Sequence, residues 1–374
     1  MIAPVLAVAF VALVGGSIAV AVRAEDSGDA PRGPQAPAGR VGSPGSGPAG
    51  SAPPAATGTP AQAPEPIPGY LLIADRGNDR MLLVDGHGRV LWTYPPPGRA
   101  PSFPFHFDDD AFFAAGYRQI ISQQEDQQTI QVVSFPEGDV LWHYGHVNVA
   151  GSAAGYLRTP DDAYLLPDGT RTVADVKNCR ILFISPARKV VRQLGTTGAC
   201  GHDPPRQFAS PNGDTPMPGG ATLVTEINGS WIDAVSAKGK LMWSVHAPVA
   251  YPSDAQWLGD GRILLADYSR PGHVLIMTVG GKVLWRYGPS SGGGMLDHPS
   301  LALLLPNGLI AVNDDFRDRV VLINQRRHKI VWQYGHTDVR GTARDYLHIP
   351  DGMDFLPFEA AMADPVIRVL VLRA

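Results

Sequence analysis

After residue 69 the chain alternates between short apolar runs of four to seven residues and clusters of Gly, Pro, Asp and Asn. Runs of this length, rich in β-branched residues, are typical of strands and are too short for helices. The last run of each group has a shared form, Gly-x-Val-Leu-Trp-x-Tyr-Gly, which is most complete at 281–288. Counting one degenerate copy at 189–195, it occurs six times at spacings of roughly 42 to 51 residues. This period is typical of the blades of a β-propeller.

Each repeat predicts four strands, as at 161–166, 171–175, 180–185 and 189–194. The first repeat lacks its innermost strand, and residues 350–357 supply a matching strand at the far end of the chain. Closing the ring in this way removes free sheet edges. The sequence therefore predicts an all-β fold, a six-bladed β-propeller of four-stranded blades, over 69–374. A further apolar run, Val366 to Leu372, predicts one more strand, for which the ring has no vacancy.

The first 68 residues predict two segments outside the propeller. Residues 1–24 form either a signal peptide or a membrane anchor: Ile2 to Val22 is uncharged and long enough to span a bilayer as a helix, whereas Val22-Arg23-Ala24 suits cleavage. Residues 25–68, dominated by Pro, Ala and Gly, predict a disordered linker. Both alternatives predict an extracytoplasmic propeller, either secreted or attached to the membrane through its N-terminal segment.

Several motifs resemble those of known propeller families. The hexamers at 75–80, 175–180 and 314–319 resemble the Asp-x-x-Asn-x-Arg signature of NHL repeats, and the Gly-x-Val-Leu-Trp strands resemble the repeats of pyrroloquinoline-quinone propellers. A strand ending in Leu-Pro-Asp-Gly before a Val-x-Asp strand, as at 166–175, is similar to arylsulfotransferase-like propellers. The last resemblance implies a channel histidine that acts in sulfuryl transfer, for which His106 and His348 are the candidates.

One position varies between repeats, two residues before the inner strand's repeated Pro. Because blade one closes the ring between blades six and two, four charged or histidine residues at this position come from consecutive blades. We expect them on one side of a channel mouth. The six residues are His106, Arg158, Ala209, Ala250, Asp297 and His348. Further inward, a polar ring is predicted, consisting of Asp109, Asp161, Asn212, Ser253, Ser300 and Asp351.

Three interpretations of these residues remain open. The histidines and neighbouring carboxylates suit a divalent metal at the mouth, although no tight ligand spacing supports one and no cofactor is predicted. Alternatively, His106 or His348 is a nucleophile or acid–base group, while Arg158 binds an anion such as sulfate. In the third, the mouth is only polar and solvated. The predicted ligand-binding residues are Arg158, Asp109, Asp161, Asp297 and Asp351.

Charge and cysteine content narrow the functional classes. A net charge of −4 without a Lys/Arg block argues against nucleic-acid binding. Cys179 and Cys200, the two cysteines, predict a disulfide formed in an oxidising compartment. The leading hypothesis is a monomeric, non-enzymatic platform that binds a small anionic ligand or a protein partner. The alternative is an arylsulfotransferase-like enzyme.

Overall fold

The computed structural model describes residues 65–106 and 109–373, which form six antiparallel sheets. The predicted all-β, six-bladed propeller is confirmed. The segment predicted at 1–24 and the linker up to residue 64 lie outside the described residues. Within the described part, no helix is both long and apolar enough to cross a membrane.

Blades one to three contain the first ten strands and the last strand of the chain. Blade three has three regular strands, and its innermost segment joins β8 through bridges at Pro160–Asp175 and Leu165–Arg171. The strands are β1 Gly69–Asp75, β2 Arg80–Asp85, β3 Val90–Tyr94 and β23 Pro350–Pro357 in blade one, β4 Ala111–Phe113, β5 Gln119–Gln124, β6 Thr129–Ser134 and β7 Val140–Gly145 in blade two, and β8 Arg171–Asp175, β9 Arg180–Ile184 and β10 Val190–Leu194 in blade three.

Blades four to six each have four consecutive strands, paired in chain order. The strands are β11 Pro216–Met217, β12 Ala221–Glu226, β13 Trp231–Val235 and β14 Leu241–His246 in blade four, β15 Pro252–Gly259, β16 Arg262–Asp267, β17 His273–Thr278 and β18 Val283–Tyr287 in blade five, and β19 Ala302–Leu304, β20 Leu309–Asp314, β21 Arg319–Asn324 and β22 Lys329–Gly335 in blade six.

The ring closes through blade one, as predicted. Strand β23 pairs antiparallel with β1, with Gly69 opposite Pro357 and Asp75 opposite Pro350. Every residue of β1 is buried, and its other edge pairs with β2. Without β23, β1 would therefore expose an unpaired apolar edge.

The repeated Trp joins neighbouring blades. Its indole Nε1 donates a hydrogen bond to a main-chain carbonyl of the next blade in four copies. These bonds are Trp92 to Pro136, Trp142 to Pro186, Trp285 to Gln325 and Trp332 to Gly86, the last across the closure. In the degenerate third copy Arg192 takes the same position and donates to the Ser236 carbonyl at 3.1 Å. The structural role of this repeat position is therefore preserved where the aromatic ring is lost.

In five blades an acid at the end of the second strand fixes the start of the inner strand, whereas blade two has Gln124 at this position. In blade three, Asp175 accepts the Arg158 N–H through Oδ1 (2.7 Å) and the Asn178 and Arg180 side chains through Oδ2. Asp75 and Asp314 accept the equivalent N–H groups of His348 and Asp297. The hexamers at 75–80, 175–180 and 314–319 are thus hydrogen-bonded turns that attach the inner strands of blades one, three and six to their blades.

The predicted strand at Val366 to Leu372 is wrong, because this segment is helical. Helices α1 (Phe358–Ala363) and α2 (Pro365–Arg373) follow β23. Asp364 Oδ1 accepts the N–H groups of Val366 and Ile367, and Pro365 occupies the first turn, where its missing N–H costs nothing. Ile367 and Val371, four residues apart, are buried in the same cluster as Leu91 of blade one. The helices therefore extend the core of blade one.

The predicted disulfide is confirmed. Cys179 and Cys200 are bonded, with 5.2 Å between their Cα atoms and 21 residues between their positions. Such a bond indicates an oxidising environment. It connects the loop after β10 to the start of β9.

Candidate functional site

Six inner-strand starts, one from each blade, surround a cavity of about 230 Å³ on the propeller axis. These residues belong to the inward ring predicted from the sequence. They are Asp109, Asp161, Asn212, Ser253, Ser300 and Asp351. We call this space the mouth cavity.

A second set of side chains, which sequence reasoning missed, completes the mouth cavity. Each member directly follows the acidic or amide residue that ends its blade's second strand. Five line the cavity: Arg76, Glu125, Val176, Ile227 and Tyr268. The sixth, Asp315, accepts a hydrogen bond from the Ser300 hydroxyl at 3.1 Å. In the sequence, the residue after this acid or amide differs in every blade, and that variation is the signal that could indicate these side chains.

Arg76, rather than Arg158, is the arginine of the mouth cavity. Its guanidinium donates to Asp351 Oδ2 at 2.8 Å and lies 3.7 Å from Glu125 Oε2. Burial opposes its charge, yet the carboxylates of Asp351, Asp109 and Glu125 together raise the pKa of Arg76 above its ordinary value. This cation is already engaged by protein carboxylates and is poorly placed to bind an anion.

Carboxylates outnumber cations around the mouth cavity. Its charged side chains are Asp109, Asp110, Glu125, Asp161 and Asp351 against Arg76 and Lys177. Burial, followed by neighbouring carboxylates, raises the pKa of Asp109, Asp110 and Asp161 well above the usual range. A positive ligand would relieve this repulsion, whereas a sulfate or carboxylate would add to it.

Two tyrosine rings form another part of the wall. Tyr251 and Tyr268 lie 5.3 Å apart between ring centroids, and both are half-buried. Burial is the largest cause that raises the pKa of both phenols, and nearby carboxylates add to it. The mouth cavity therefore combines neutral aromatic rings with negative charge.

The four residues predicted on one arc do not line the mouth cavity. His106, 54% exposed, pairs with Asp79 at 2.7 Å, while His348 Nδ1 lies 3.1 Å from the Gly77 carbonyl, so both contact the same turn of blade one. Arg158 is exposed. Asp297, by contrast, is buried and lies 2.8 Å from the Arg270 guanidinium and 2.6 Å from His298 Nδ1.

The backbone explains why this position varies. In five blades its N–H group is bonded to the repeated acid, whichever side chain it carries: Arg158 to Asp175, for example, or Ala250 to Asp267 at 3.1 Å. The side chain plays no part in that hydrogen bond. Variation here follows from a main-chain role and does not by itself indicate a site.

Three groups of side chains in the described part could each hold a metal ion. In each group every residue offers one ligand atom, and these ligand atoms lie within 4.8 Å of one another. Two are all-carboxylate and share Asp110. They are Asp109, Asp110 and Asp161, and Asp110, Asp162 and Asp254. None includes His106 or His348, the histidines of the predicted metal interpretation.

The third group, His202, Glu226 and Asp233, has a structural explanation in blade four. Glu226 occupies the repeated acid's position, and the arginine found five residues later in blades one, three and six is here Trp231. The His202 ring takes the arginine's place beside the acid, with Nδ1 2.9 Å from Glu226 Oε1 and its ring stacked on Trp231 at 4.1 Å. It lies two residues beyond Cys200, so the disulfide helps to fix its loop.

No protein-family model matches the chain, and no curated protein matches it. Among solved structures, a protein of unknown function from Bacteroides caccae is similar over 76% of this chain and 98% of its own, with 18% identity and a TM-score of 0.54. Virginiamycin B lyase from Staphylococcus aureus is similar over 65% and 72%, with 14% identity and a TM-score of 0.44. A chain of a nidogen–laminin complex is similar over 76% and 97%, with 14% identity and a TM-score of 0.49. At these identities the likeness shows the fold alone, and an arylsulfotransferase-like family is not confirmed. The chain has the β-propeller fold.

Proposed function

We propose that this propeller is a binding platform whose mouth cavity takes an organic cation, such as a substituted ammonium group. The observation that carries the proposal is the pairing of Tyr251 and Tyr268 with an excess of carboxylates around one cavity of about 230 Å³. Aromatic faces attract ammonium groups through their quadrupole, and desolvated carboxylates add a direct charge attraction. A volume of this size suits a ligand head group or a side chain.

The test compares choline with its neutral isostere 3,3-dimethylbutan-1-ol, using calorimetric titration of the full-length protein. We expect saturable binding of choline and at least tenfold weaker binding of the alcohol, because the two differ in charge and not in shape. Tyr268→Leu and Asp161→Asn should each weaken choline binding several-fold. The matched control is Asp260→Asn, since the Asp260 side chain is 92% exposed. Equal binding of both probes, or no binding of either, would refute the proposal.

The predicted anionic ligand and the sulfuryl-transfer alternative stay predictions. Their candidates His106, His348 and Arg158 lie outside the mouth cavity, and Asp297 is engaged by Arg270 and His298. Turnover of an aryl sulfate with a phenol acceptor, lost in a folded His106→Ala or His348→Ala variant, would favour the enzyme over the binding platform.

An extracytoplasmic location belongs to the same proposal. It is supported by the Cys179–Cys200 disulfide, which is typical of proteins that fold in an oxidising compartment. Membrane attachment, the monomeric state and the protein partner stay predictions from the sequence.

A further inference from the structure

Three carboxylates from three blades meet inside the channel. Asp110 also lines the mouth cavity, whereas Asp254 lines a second cavity of about 130 Å³, so the group lies between the two spaces. One oxygen from each of Asp110, Asp162 and Asp254 lies within 4.8 Å of the other two. The three residues are 3%, 0% and 6% exposed.

These carboxylates have unsatisfied oxygen atoms. Oδ1 of Asp110, of Asp162 and of Asp254 is enclosed and has no hydrogen-bond partner among the described residues. Buried polar atoms are nearly always satisfied, and carboxylates this close repel one another after losing most of their hydration. The arrangement therefore requires a shared positive charge, which is either a bound cation or protons held between the carboxyl groups.

Glycine gives the carboxylates room. A Cβ atom at Gly352 would collide with Asp110 Oδ1, and one at Gly213 would lie 3.0 Å from Asp254 Oδ1 and 3.3 Å from Asp162 Oδ2. Blades two, three and five have Asp at one equivalent position of the inner strand. At the same position blade four has Gly213 and blade one has Gly352. Small and acidic positions thus share one layer of the channel.

We propose that Asp110, Asp162 and Asp254 bind a divalent cation that prefers oxygen ligands, with Ca²⁺ as the best match. The donor set contains only carboxylate oxygens, without a thiolate or an imidazole, which suits a hard cation. Ca²⁺ takes six to eight oxygen ligands in flexible geometry, and the two adjacent cavities leave space for water in the remaining positions. The proposal goes beyond the mouth-cavity ligand, because this ion would connect blades two, three and five inside the ring.

The experiment uses full-length protein treated with a chelator and then titrated with Ca²⁺. We expect one Ca²⁺ per chain by calorimetry, and at saturation a rise in the unfolding midpoint of roughly 5 °C over the chelated protein. Asp162→Asn should weaken Ca²⁺ binding at least 100-fold and abolish the thermal shift. Choline binding in the mouth cavity serves as a separate readout, so that failure of either proposal can be recognised.

Asp354→Asn is the matched control. Asp354 also lies on an inner strand and lines the second cavity, but its two oxygens already accept the N–H groups of Phe113 and Phe355 at 2.7 Å. It should bind Ca²⁺ within threefold of wild type. If the wild-type protein binds no Ca²⁺ and its unfolding midpoint is unchanged by chelation, the carboxyl groups share protons instead and the proposal is wrong. Equal loss of binding in both variants would also overturn the assignment.

Discussion

The repeated acid–arginine pair allows a quantitative prediction in blade six. The Arg319 side chain is 2% exposed and the Asp314 side chain 0%, with 2.7 Å between Nε and Oδ2. Arg319 also donates to the carbonyls of Gly293 and Met295. Replacing it with Met keeps much of the apolar volume but leaves Asp314 buried without its cation. Breaking a buried pair in this way costs about 3 to 5 kcal/mol of unfolding free energy.

The pH dependence gives this prediction a second readout. Burial raises the pKa of Asp314 to about 6 even though the neighbouring Arg319 lowers it, so removing Arg319 should raise the pKa of Asp314 further. A raised carboxyl pKa in the folded state means that stability is lost as the pH rises. Arg319→Met should therefore be more destabilising at pH 8 than at pH 5, where protonation neutralises Asp314.

The assay is urea unfolding followed by tryptophan fluorescence at both pH values. Arg206→Met is the control, because the Arg206 and Asp203 side chains are 77% and 43% exposed and such a pair contributes about 0 to 1 kcal/mol. A loss of less than about 1 kcal/mol in Arg319→Met, or one equal to the control, would contradict the view that the repeated acid–arginine pair stabilises the blade.

Three further predictions concern the disulfide, a buried acid and the closure. The Cys179–Cys200 disulfide joins two residues that are 21 positions apart, and its reduction should lower the unfolding free energy by about 3 kcal/mol. An unchanged urea midpoint in the presence of a reductant would argue against this. Burial, and then the neighbouring Glu226 carboxyl group, raises the pKa of Asp233 to about 8. The unfolding free energy of the wild type should therefore fall by about 4 kcal/mol between pH 5 and pH 8 relative to Asp233→Asn, and an equal pH dependence of stability in the two proteins would contradict the assignment. Truncation before residue 348 should produce aggregation on size-exclusion chromatography, whereas a soluble, cooperatively unfolding product would disprove closure through β23.

The fold could be predicted from the sequence because repetition multiplies a weak strand signal. The inward ring of Asp109, Asp161 and Asp351 followed from the same register, since equivalent positions in every blade face one axis. The apolar, partly β-branched run from Val366 to Leu372 predicts a strand, but Asp364-Pro365 before it is a helix start signal, and the segment forms α2. The Asp364 cap therefore outweighs the strand preference of the residues that follow it.

The walls of the mouth cavity could be predicted only in part. Arg76 and Tyr268 each follow a strongly repeated acid, and the sequence does not show that the turn after that acid points toward the axis. His106, Arg158 and His348 differ between repeats, but none of them lines the mouth cavity, and the shared role of Arg158 and His348 is a main-chain hydrogen bond to the repeated acid. Difference between repeats indicates a site only where the side chain itself faces the shared space.

Closure of blade one by β23 has a consequence for the order of folding during synthesis. Strand β1 ends at Asp75, and the partner of that residue, Pro350, follows about 275 residues later. At roughly 5 to 20 residues per second, a ribosome needs on the order of 15 to 55 seconds to supply it. During this interval the first blade has an unsatisfied edge, which a chaperone can occupy and a second nascent chain can invade. The ring therefore becomes a single cooperative unit only when synthesis of its last strand is complete.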